Sequence, residues 1–146
     1  MLPDIVHGLQ SIAQALLSQK PGKAAQMAVI TDQAHTTTSY AALATNVFVT
    51  AVVGSSGQLL ITWSAGIYNV ASGKYLSFGI TGPNGYSLSP DDTRSIRNDV
   101  SGFVGIQERT YLAEGLAAGT YTVTLYARTS TGTAQIFDKR LIATPL

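Results

Sequence analysis

The chain has 146 residues, of which 45% are hydrophobic and only 12% charged, with a formal net charge of +1. That length carries one domain with a real core and a short appendage. The charge argues against a nucleic-acid partner, because no basic stretch is present to neutralise a row of phosphates. The lack of cysteine excludes disulfide staples and thiolate metal sites. The charged share is about half the usual one. Thr, Ser, Asn, Gln and Gly supply the polarity instead, a composition that suits pleated surfaces and turns.

The first element, residues 1–19, has a helical period. Pro3 and Asp4 suit a first turn, and "KPGK" at Lys20 to Lys23 ends the pattern. Leu2, Ile5, Leu9, Ile12 and Leu16 follow one another at intervals alternating between three and four, a heptad seam with Leu at one core position and Ile at the other. Such seams favour trimers and tetramers. Two heptads are too short to stand alone, and Gly8 costs about 1 kcal/mol relative to Ala. The sequence therefore predicts a helix that trimerises within an assembly or docks on another surface. A secretion leader is not expected, since a basic start is missing and Asp4, His7, Gln10 and Gln14 interrupt the apolar run. Nor is any run long and apolar enough for membrane insertion.

Residues 20–26 read as a linker. From Met27 the period becomes two. Strands are predicted over 27–31, 46–53, 58–64, 74–81, 103–112, 120–129 and 134–142, with weaker candidates at 35–43 and 93–99. Gly-marked turns separate them: "GSSG", "TGPNG", "AAG" and "STG". The expected fold is mainly β: an antiparallel β-sandwich of jelly-roll type over 27–146, preceded by a short N-terminal helix. In the strand at 120–129, Tyr121, Val123, Leu125 and Ala127 are expected to face inward. Thr122, Thr124, Tyr126 and Arg128 form the outward, candidate contact face. In the strand that follows, Ile136, Asp138 and Arg140 alternate with Phe137, Lys139 and Leu141. Neither set is purely apolar, which suits a strand at a sheet edge or a subunit contact, with its predecessor as the expected partner strand. Trp63 falls in the more apolar set of its own strand and is expected in the core.

Chemistry is sparse. His7 and His35 lack partners at metal-ligand spacing. Asp91 and Asp92 in "SPDDTRS" are a weak calcium candidate but suit a turn whose Asp caps free amides. Glu108 and Asp138 could face each other on neighbouring strands, as could many carboxylate pairs in any sheet. No nucleophile elbow or phosphate loop is present. Tyr68, Tyr75, Tyr86, Tyr111, Tyr126 and Trp63 are the aromatics on which a sugar would stack. No catalytic residue, cofactor or metal site is predicted, and the chain is not expected to be an enzyme.

"HTTTSYAAL", "GSSGQLLITWSAGIYN" and "LAEGLAAGTYTVTLYARTSTGTAQIFDKRLIATPL" together resemble the minor tail or appendage proteins of tailed phages. The resemblance covers Thr36 to Leu146 and is carried mainly by Gly119 to Leu146. It implies a structural virion component assembled in the host cytoplasm, with itself and other virion proteins as partners, a host-surface glycan as a further one, and no catalytic residues. Two alternatives stay open: a capsid decoration protein, and a carbohydrate-binding β-sandwich module.

Overall fold

The computed structural model describes residues 5–10, 22–69, 73–100 and 102–146. Residues 5–10 are helical and every side chain in them is exposed. Ile5 and Leu9 of the seam lie here, 59% and 61% accessible; Leu2, Ile12 and Leu16 lie outside the described residues.

Among the described residues eleven strands follow, in two antiparallel sheets. The first holds β1 (Ala25–Val29), β2 (Gln33–His35), β5 (Leu59–Asn69), β9 (Gly102–Ala113) and β11 (Ala134–Pro145). The second holds β3 (Ala41–Ala42), β4 (Phe48–Val53), β6 (Lys74–Thr81), β7 (Ser87–Leu88), β8 (Ile96–Asn98) and β10 (Gly119–Thr129). Three pairs of short strands share one place each. β1 and β2 lie along β11, β3 and β4 along β10, and β7 and β8 along β6. The order of places is then β1/β2–β11–β5–β9 in one sheet and β3/β4–β10–β6–β7/β8 in the other. Successive long strands change sheets, as in an eight-place jelly roll.

The weaker candidates prove to be composite. The stretch at 35–43 splits between β2 and β3, and the one at 93–99 divides into a 3₁₀ turn at Asp92–Arg94 and β8. The strong candidates match β1, β4, β5, β6, β9, β10 and β11 to within a few residues at their ends, except that β5 runs on to Asn69.

The core lies between the sheets. β10 sends Tyr121, Val123, Leu125 and Ala127 into it, all buried, and leaves Thr122, Thr124, Tyr126 and Arg128 half-buried outside. β10 is also central, paired with β6 on one edge and β3/β4 on the other. Val123→Ala should therefore cost about 1–3 kcal/mol, scaled from larger core truncations, and Thr122→Ala only about 0.5 kcal/mol. Denaturant melts of the two variants measure the contrast.

Two expectations about β11 are corrected. It does not pair with β10, because the turn at 130–133 carries the chain across the sandwich into the other sheet. The crossing lets the apolar rows of both strands face each other rather than lie side by side. Nor is β11 an edge strand, since it sits between β1/β2 and β5. The mixed faces arise from a bulge: Phe137 pairs with Gly66 and Arg140 with Ser64, so one extra residue is absorbed, and Asp138 adopts a φ of 48°. Before the bulge Ala134 and Ile136 face inward; after it Lys139, Leu141 and Ala143 do. Buried Lys139 donates from Nζ to the carbonyls of Thr31 (2.5 Å) and Ile136 (3.0 Å). Burial lowers its pKa.

Candidate functional site

Outward residues of β6 alternate with the core set, yet Tyr75, Ser77 and Gly79 are buried too. The Arg128 and Arg97 guanidiniums lie over the Tyr75 ring, and a strap, residues 82–95, lies against Ser77 and Gly79. It is pinned to the sheet by Ser77, whose Oγ donates to the Arg94 carbonyl (2.8 Å) and accepts from the Asp91 amide (3.2 Å). Asp91 accepts from the Thr93 amide at 2.7 Å and so caps the short 3₁₀ turn. That hydrogen bonding with Thr93 holds its carboxyl below the ordinary carboxylate range.

The strap stops short of β10. Between its edge and the β10 face lies a cleft of about 210 Å³. Thr122, Thr124 and Tyr126 of the predicted contact face form one wall, and Ser89 and Pro90 of the strap form the other, with Tyr40 at the rim. Gly79 makes room at the base: a Cβ there would stand 3.0 Å from the Tyr126 ring.

Arg128, the fourth predicted residue, closes one end rather than lining the cleft. Its Nε donates to Asp92 Oδ1 at 2.8 Å and its Nη2 contacts Asp92 Oδ2, a two-pronged pair. Tyr40 donates to the same Oδ1 at 2.9 Å. The guanidinium carbon lies 3.9 Å from the Tyr75 ring centroid, within cation–π range. Arg128 holds the Asp92 carboxyl below the ordinary range. Desolvation first, and the Asp92 hydrogen bond second, raise the Tyr40 phenol. A carboxyl with a lowered folded-state pKa contributes stability fully above its unfolded value, about 3.9, and loses it as pH falls through the folded value. Asp92→Asn is expected to cost about 1 kcal/mol at pH 7, since the Asp92 side chain is 46% exposed and partly screened. The gap to the native protein should narrow as pH falls below the ordinary carboxylate range. Thermal melts across that range check it.

The remaining sequence candidates are dispersed. Glu108 and Asp138 do not face each other on neighbouring strands: β5 separates their strands, and Asp138 sits in the bulge. His35 is buried and shares a 2.6 Å hydrogen bond with Thr37 Oγ1, and burial lowers its pKa; His7 is exposed in the helix. Trp63 is in the core, as expected. Of the six aromatics singled out for sugar stacking, only Tyr68 is exposed; Tyr75 and Trp63 are buried and the rest half-buried. Among the described residues no group of three or more His, Asp or Glu is placed to hold a metal ion. The rim residue Tyr40 and its Asp92 contact were not singled out together, because 52 positions separate them and neither carries a local signal for the other.

No protein-family model and no curated protein sequence matches the chain. Solved structures do. The infectious bursal disease virus VP2 subviral particle aligns with a TM-score of 0.51 at 12% identity, over 85% of this chain and 32% of that one. The Gx strain of the same virus gives 0.51 at 8% identity, over 87% and 33%. A tailspike protein 4 domain of bacteriophage CBA120 follows more loosely, at 0.40 and 12% identity over 82% and 19%. The chain thus spans about a third of the length of the VP2 chains it matches. At such low identity the two VP2 likenesses show the architecture alone, a jelly-roll β-sandwich.

Proposed function

We propose that the chain is a structural, non-enzymatic component of a tailed-phage virion, a minor tail or appendage protein. In this reading the N-terminal seam of Leu2, Ile5, Leu9, Ile12 and Leu16 holds three copies together, and the sandwich forms the exposed mass. The observation that supports it best is the state of the cleft's charged and phenolic groups. Asp92, Arg128 and Tyr40 are engaged with one another, an arrangement that stiffens a surface and leaves these three groups committed to structure. The resemblance of Thr36 to Leu146 to phage appendage proteins supplies the class, and a jelly roll suits a rigid building block.

Electron cryo-microscopy of purified particles, with density fitted by this sandwich, tests the proposal. Copies in multiples of three at the tail support it, and a position on the capsid shell moves the chain to the decoration class. Absence from the particle overturns it. Shortening the chain by residues 1–19 should lower its sedimenting mass. A full-length monomer at high micromolar concentration would defeat self-association through the seam.

One observation favours a second reading, a glycan-binding module. Two tyrosines and the hydroxyls of Thr122, Thr124 and Ser89 line one cleft, the mix of ring and hydroxyl that sugars use. Glycan-array binding that Tyr126→Ala abolishes would support that reading; no binding at millimolar sugar would remove it.

A further inference from the structure

The two outer faces of the sandwich are treated differently. The strap covers part of the β6 side of the second sheet, whereas among the described residues no segment is seen to cross the outer face of the first sheet at β5, where Tyr68 and Ile106 stand exposed. Ile30 and Ile106 stand there 76% and 57% exposed, beside a depression of about 350 Å³ whose lining includes Ala28, Ser64 and Arg140. Large apolar side chains on an uncovered sheet face mark an interaction surface.

The registers of β9, β5 and β11 place this face in rows. Ile106 pairs with Gly66, and Gly66 with Phe137. Phe137 lies over Gly66 so closely that a Cβ there would come within 2.4 Å of its ring. In the next row Glu108 pairs with Ser64, and Ser64 with Arg140. In the third, Thr110 pairs with Thr62, and Thr62 with Ile142. Over these three rows the middle strand contributes only Gly66, Ser64 and Thr62, with the Phe137 ring lying over Gly66. Glu108 and Arg140 are both exposed, and neither joins an ion pair among the described residues. Two strand spacings separate them, about 10 Å, too far for a contact within one chain.

The Glu108 and Arg140 positions are self-complementary about one axis, with exposed Asp138 beside Arg140 in the same depression. A two-fold along β5, lying between two such faces, sets β9 of one chain against β11 of the other. Glu108 then meets Arg140 of the second copy, and Arg140 meets its Glu108, giving two equivalent pairs. Ile106 meets Phe137, and Thr110 meets Ile142. The alternative in-plane two-fold, across the strands, would set Glu108 on Glu108 and Arg140 on Arg140, a repulsive arrangement. We propose that the outer face of the first sheet binds the same face of a second copy of this chain, about a two-fold axis along β5 with paired Glu108–Arg140 contacts. The axis does not involve the N-terminal seam. It adds a two-fold contact to whatever unit the seam assembles, and it holds whether or not the chain is part of a virion.

Sedimentation of the full chain at high micromolar concentration and low salt tests this with charge reversals. Glu108→Arg alone and Arg140→Glu alone each set like charges across the axis. Each should weaken association by roughly tenfold or more and halve the sedimenting mass. The double variant restores both pairs with signs exchanged and should return the mass to that of the native chain. Both positions are exposed, so far-UV circular dichroism should show all three variants folded. A mass that neither reversal changes, a double variant that fails to recover, or a native chain with no two-fold step in its mass each overturns the proposal.

Discussion

Deleting Thr124 should unfold the domain, whereas deleting Asp138 should leave it folded. β10 alternates without interruption from Gly119 to Thr129, half-buried or exposed outside and buried inside. Removing one residue from its middle reverses the faces on one side of the gap. Either Tyr121 and Val123 turn outward, or Leu125 and Ala127 do while Tyr126 and Arg128 turn into the core. Each large apolar side chain lost from the interior forfeits roughly 2 kcal/mol, and an unpaired guanidinium buried in its place costs several more. Together these exceed much of the ~5–15 kcal/mol that holds a domain folded. In β11 the same operation does the opposite. Asp138 is the extra residue, and without it Ile136, Lys139 and Leu141 still point in while Phe137 and Arg140 still point out. The deletion also removes a non-glycine residue at a φ of 48°, a conformation that carries strain. Far-UV and near-UV circular dichroism with thermal melts separates the outcomes. An unfolded Asp138 deletion would show that the bulge itself, and not only the phase it corrects, holds the sheet together.

These two strands also show what the sequence made legible. Uninterrupted alternation reveals faces, so the inward and outward sets of β10 could be read directly, as could Trp63 with Leu59, Ile61 and Ala65 in β5. A bulge erases that signal. Asp138 is neither glycine nor flanked by turn residues, and nothing local marks where the phase changes. Turn chemistry has a similar limit. "STG" announces that the chain reverses after Thr129, but the same residues serve a hairpin within one sheet and a crossing between two. Only the pairing of β10 with β6 and of β11 with β5 decides. The cleft was half legible for the same reason. Thr122, Thr124 and Tyr126 came from periodicity, while Tyr40 and the strap at 87–90 reach the site through contacts distant in sequence, and periodicity carries no information about those.

The second large effect lies at Trp63, the residue that ties the sheets together. Its ring meets Phe78 of the opposite sheet edge-on, with centroids 4.7 Å apart and planes at 62°. Its Nε1 donates to the Leu76 carbonyl on the same opposing strand at 3.3 Å. Phe78 in turn reaches Tyr111 on β9, at 5.4 Å between centroids, so the ring is part of an aromatic chain crossing the interior. Trp63→Ala removes the indole from a site with no outlet to solvent and leaves a cavity between two rigid sheets, which is expected to cost about 3–5 kcal/mol. Trp63→Phe keeps a ring against Phe78 but leaves the Leu76 carbonyl without its indole partner and part of the volume empty, so about 1–3 kcal/mol is expected. The native chain contains a single tryptophan, so urea melts of all three proteins are best followed by far-UV circular dichroism rather than fluorescence. Unchanged slopes with ordered midpoints, native above Phe above Ala, are the expected result. If the Phe variant were as unstable as the Ala variant, the hydrogen bond to β6 rather than the packed ring would be the dominant tie between the sheets. If both cost under about 1 kcal/mol, the sheets would have to close on each other over the missing volume, and the interior would be more compliant than a close-packed core allows.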